Sequence, residues 1–156
     1  MIATFAFLCL AMQAPSPPMM FAGDSTKILT PRRVSIKNDV DWLSLWSENT
    51  GQSWSLRDGR TGVDAHVSIG APIIDFSRYQ AVAVFAGPKI GIAGITVTRV
   101  EEDEKRVTLV LESVRGRSNT REYHPYGIFV IPKTTKEVAV REVISTSAPR
   151  LLSALK

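Results

Sequence analysis

Between Gln80 and Arg141 the chain falls into a succession of apolar or alternating runs, each of strand length and each closed by glycines or charged residues. Gln80-Ala-Val-Ala-Val-Phe-Ala86 is almost continuously apolar, the pattern of a central strand covered on both faces. Ile95-Thr-Val-Thr-Arg-Val100 and Arg106-Val-Thr-Leu-Val-Leu-Glu-Ser-Val114 flank the charged turn Glu101 to Lys105 and predict a long hairpin. Tyr126-Gly-Ile-Phe-Val-Ile131 and Lys136-Glu-Val-Ala-Val-Arg141 follow across a short turn. Strands so close together, joined by short polar turns, predict an antiparallel sheet that curls or folds over on itself as a sandwich.

Upstream, Arg33-Val-Ser-Ile-Lys37 alternates as a half-buried strand does, and Asn38 or Asp39 offers a helix N-cap. In Val40 to Glu48, Trp42 and Trp46 are four apart and Val40 and Leu43 three apart, which predicts an amphipathic helix with both tryptophans buried against the sheet. Asn49 to Gly70 has little periodic hydrophobicity and repeated Gly or Asn, and reads as a long loop with a short strand at Val63 to Ile69. In Pro72 to Tyr79, Asp75 is placed to cap a single turn through the N–H groups of residues 77 and 78. The predicted fold class is α+β, mainly β: a curled antiparallel sheet or sandwich of five to seven strands with one N-terminal amphipathic helix.

The apolar run Met1 to Met12 is too short to span a bilayer but has the length of a signal-peptide core, so residues 1–14 are read as an export signal ending at Ala14. Residues 15–32, rich in Pro, Ser, Gly and Thr, are an extended lead-in, 33–143 a single β-rich domain, and 144–156 a tail. The only cysteine, Cys9, lies inside the signal, and no transmembrane segment is expected in the mature chain. The reading is therefore of a periplasmic or extracellular protein. The net charge of +4 comes from 19 basic and 15 acidic residues scattered along the chain, which argues against a nucleic-acid binder, where cations concentrate with interleaved aromatics. Only Arg115, Arg117 and Arg121 approach a cluster.

No catalytic, cofactor or metal motif is found. The two histidines, His66 and His124, belong to no zinc-ligand spacing and read as surface or turn residues. No serine sits in a Gly-x-Ser-x-Gly elbow. The Gly87 to Gly94 stretch lacks the Gly-Lys-Ser/Thr of a phosphate loop and leads from strand to strand, so its glycines are assigned to turns, a bulge or a close backbone approach. If the strands pair as predicted, this turn and the Arg115 to Tyr123 loop lie at one end of the sheet. Gly87, Lys89, Gly91, Arg115, Arg117, Arg121 and Tyr123 are accordingly the candidate partner-binding residues. Two rival classes remain: a ligand- or glycan-binding module using Trp54 and Tyr123 as exposed stacking aromatics, and a small hydrolase using Asp75 or His124.

Trp42 with Leu45-Trp46, then Pro72-Ile-Ile-Asp-Phe76, a strand ending in Phe85-Ala-Gly87, the Gly91 to Gly94 turn and Pro125-Tyr126, taken in that order, resemble the C-terminal domain family of PrcB, a protease-complex subunit of bacteria. The resemblance spans about residues 33 to 142. It implies an exported domain that associates with, and stabilises, a protease or another cell-envelope protein, and it brings no catalytic residues. The chain differs from the family pattern in a longer segment between Trp46 and Pro72 and in Ile92-Ala93, where an aromatic often follows the glycine turn.

Overall fold

A computed structural model describes residues 19–54 and 62–143. The expected signal segment and the tail lie outside the described residues. Four strands, β1 (Met19–Gly23), β2 (Arg32–Ile36), β3 (Tyr79–Phe85) and β8 (Tyr126–Pro132), make an antiparallel sheet in the order β1-β8-β3-β2. A second sheet holds β5 (Ile92–Glu102), β6 (Arg106–Arg115) and β9 (Glu137–Val143) in the order β5-β6-β9. Two-residue strands β4 (Lys89–Ile90) and β7 (Glu122–Tyr123) pair with each other. The sheets are mainly antiparallel and do not close into a barrel, as expected for an α+β, mainly β domain.

Alternation along β3 divides the core into two. Ala81, Ala83 and Phe85 face one way with Ile36, Ile128 and Val130, onto helix α1 (Asp39–Thr50). Val82 and Val84 face the other way with Phe129 and Ile131, onto Ile95, Val107, Leu109 and Leu111 of the second sheet. The layers are thus helix, sheet, sheet. Such a β3 must be apolar on both faces, which is why its run shows no alternation.

Asn38 caps α1, its Oδ1 accepting the Asp41 N–H at 2.9 Å. Trp42 is 0% exposed and donates Nε1–H to the Pro72 carbonyl at 2.8 Å. Trp46, expected to be equally buried, is only half-buried and donates to the Ile69 carbonyl at 3.2 Å.

Three expectations are corrected. Gly62–Ile69 is a helix, α2, where a strand within a loop was expected. Its Ala65 and Ile69, four apart, pack on Leu43 of α1, while Val63 and Val67 face solvent. Met19–Gly23, expected in the lead-in, is edge strand β1, whose Phe21 packs against Trp42 and Trp46 at 6.1 and 6.0 Å between centroids. Finally, β9 pairs with β6 in parallel, because the chain leaves the second sheet after β6, runs through β8 in the first, and returns in its original direction. Side-chain ion pairs fasten this return to the β5–β6 turn: Arg106 with Glu137 at 2.8 Å, Lys136 with Glu102 at 2.6 Å and Arg141 with Glu101 at 2.7 Å.

Candidate interaction surface

The hairpin begins at Ile92 and ends at Arg115, which are register partners, so the Gly87–Gly91 turn and the loop after Arg115 emerge side by side. They are fastened together. The Gly91 N–H donates to the Arg121 carbonyl at 3.0 Å and the Gly116 N–H to the Gly91 carbonyl at 2.9 Å, while Lys89 and Ile90 pair with Tyr123 and Glu122. Gly91 takes φ +71° with its α-carbon against the Asn119 backbone; a Cβ there would lie 3.2 Å from the Asn119 Cα. Gly87 takes φ +68°, and a Cβ there would meet Pro31 at 2.7 Å. Glycine is required at both places because left-handed backbone and near contact coincide. The register irregularity between Ile92 and Gly94 is a bulge beside this turn.

Tyr123 organises the cluster from inside. It is 5% exposed, its ring covers Gly116, its hydroxyl accepts the Ser118 N–H at 3.2 Å, and the Arg121 guanidinium lies 5.2 Å from its ring centroid. The structure therefore brings all seven sequence-selected residues to one end of the domain but gives them different places. Lys89, Arg115, Arg117 and Arg121 are exposed, Gly91 is half-buried, and Gly87 and Tyr123 are buried. Ile90, which periodicity did not single out, is 61% exposed at the same end and is the register partner of Glu122. The loop end thus exposes these four cations together with Ile90 and Glu122.

The rival sites are dispersed. Tyr123 is interior, and Trp54 packs beside Leu43 and Ile69, so the two exposed aromatics expected of a stacking platform are not present in that form. His66 is also corrected: it is 3% exposed, with Nε2 2.7 Å from Asp39 Oδ1 and Nδ1 3.3 Å from the Ala71 carbonyl, and so ties α2 to the start of α1. His124 contacts Glu122 at 3.2 Å. Neither imidazole bonds a serine among the described residues. Asp75 accepts the Ser77 N–H at 3.0 Å and the Ser77 hydroxyl at 2.5 Å, while its carbonyl takes the N–H groups of Arg78 and Tyr79. These side-chain and backbone bonds from Ser77 hold its carboxyl below the usual range, with smaller help from the Arg78 charge. Among the described residues no three His, Cys, Asp or Glu side chains gather in a metal-holding group, and no helix is long and apolar enough to cross a membrane.

No family model, no curated protein and no solved structure matches the chain.

Proposed function

We infer that this chain is an exported, non-catalytic protein-interaction module, akin to the PrcB C-terminal domain it resembles in sequence, that docks on a protease or another protein of the cell envelope. The observation that carries the reading is the loop end itself. Lys89, Arg115, Arg117 and Arg121 are exposed at the same end of the domain as Ile90, on backbone held by cross-loop hydrogen bonds and by buried Tyr123. Fastened loops lose little conformational freedom on binding, and exposed arginines are enriched where interfaces concentrate their energy. The four cations favour an acidic face on the partner.

The test is site-specific photo-crosslinking in the native envelope. A photoreactive residue replacing Ile90 is expected to trap one discrete protein, while the same residue replacing Glu104, in the turn at the opposite end of the β5–β6 hairpin, traps none. Equal labelling from both positions, or none from Ile90, contradicts the reading.

A further inference from the structure

A cleft of about 800 Å³ opens on the side of the sandwich where β2 and β9, each the last strand of its sheet, lie beside one another unpaired. The opposite side is closed by β1 against β5, where the Thr96 hydroxyl reaches the Met20 sulfur at 3.9 Å. Arg33 bridges the open side, donating to the Val140 carbonyl at 3.4 Å and to Glu142 at 3.0 Å, and a smaller hollow of about 280 Å³ continues past it to Lys89.

Gln80 forms part of the cleft floor. It is 1% exposed, and neither its Oε1 nor its Nε2 has a hydrogen-bond partner among the described residues. A buried carboxamide without partners is costly and rare, and it marks a missing bond. Its acceptor and donor stand side by side, which a peptide unit complements, N–H to Oε1 and carbonyl to Nε2. The outer edge of β2 asks for the same thing, since every other residue of an edge strand points an unpaired N–H and carbonyl outward. Charge narrows the class further: Arg33, Lys37, Lys136 and Glu137 line the cleft, and since Arg33 is paired with Glu142, Lys136 with Glu102 and Glu137 with Arg106, the Lys37 ammonium is left over. Lys37 makes no ion pair among the described residues.

We propose that this cleft accepts an extended acidic segment of a partner protein, lying along the open side between β2 and β9, with its main chain bonding Gln80 and a carboxylate facing Lys37. Both amide atoms are buried in the free protein, so the segment reaches them only as Gln80 changes rotamer toward the cleft. The cleft shares no lining residue with the basic loop end and stands whether or not that end binds a partner.

Calorimetric titration of the full chain with the blocked peptide acetyl-Val-Glu-Val-Glu-Val-Glu-Val-amide tests it, with the Lys-for-Glu peptide as control. Saturable binding is expected, at least about tenfold tighter than the control. Gln80→Leu removes the orphaned amide, so it is expected to fold at least as stably and to bind at least about tenfold more weakly. Lys37→Glu weakens binding through charge. Absence of saturation overturns the proposal, as does undiminished affinity in both folded Gln80→Leu and Lys37→Glu. A wild-type dimer that Lys37→Glu converts to monomer also overturns it, by assigning the cleft to a second copy.

Discussion

Replacing Trp42 with alanine is expected to remove a large share of the stability of this domain. The side chain is wholly buried between α1 and the first sheet, against Phe21 at 6.1 Å and Trp46 at 5.1 Å between centroids. Truncating a buried Trp costs about 3–5 kcal/mol through lost transfer energy and the cavity left behind. The Pro72 carbonyl, which receives the indole N–H at 2.8 Å, loses its donor for about another 1 kcal/mol. Against a domain stability of about 5–15 kcal/mol, a loss of about 4–6 kcal/mol should bring the urea midpoint down by roughly 2–3 M. Unfolding followed by far-UV circular dichroism reads it. Trp42→Phe, which keeps an aromatic body and drops the N–H, should cost about 1–2 kcal/mol. Trp46→Ala should cost less than Trp42→Ala because its ring is half in solvent. An unchanged midpoint for Trp42→Ala, or a larger loss for Trp46→Ala, refutes the assignment of Trp42 as the pin between helix and sheet.

Asn38→Ala removes the α1 cap and should cost about 1 kcal/mol in urea unfolding, with Asn38→Asp restoring most of it. Gly116→Ala sets a Cβ 2.5 Å from the buried Tyr123 ring, so it should lower stability by about 1–3 kcal/mol and raise amide exchange across residues 115–124. Asp75, held by Ser77, Glu101, held by Arg99 and then Arg141, and Asp103, held by the Lys105 and Arg106 N–H groups, all titrate below their ordinary values of 3.8 for Asp and 4.5 for Glu. Their stabilisation is therefore complete above those values and lost as pH falls through the lowered ones. Urea midpoints should be flat with respect to these groups above about pH 4.5 and fall below it, less steeply in Asp103→Asn, as a pH series will check.

The strands whose sequence reports their environment directly were the legible part. β3 is apolar without alternation because it is sandwiched, and β5 and β6 show their turn as a run of charges. α2 was not legible. Val63, Ala65, Val67 and Ile69 alternate in period two and mimic a strand, and β-branched residues favour that reading; the helix wins because Ala65 and Ile69 find Leu43 and because His66 bonds Asp39 and Ala71. β1 was hidden because an edge strand of five residues carries little period, and the parallel placement of β9 depends on the path between layers rather than on any local pattern. At the candidate surface the juxtaposition of the two loops followed from hairpin pairing alone. That Tyr123 is interior did not, since one aromatic in a polar loop looks the same from sequence whether it covers a glycine or faces solvent. The orphaned Gln80 left a trace only as a polar residue heading an apolar strand.

The central claim is that the basic loop end is where a partner docks. With a partner captured through Ile90, the direct measurement is its affinity for wild type and for the Arg117→Glu, Arg121→Glu double variant at two salt concentrations. A basic docking face predicts a large loss on charge reversal, at least about a hundredfold at low salt, and a weaker salt dependence in the variant than in wild type. Unchanged affinity and unchanged salt dependence in the folded double variant would contradict the account and move the interface elsewhere.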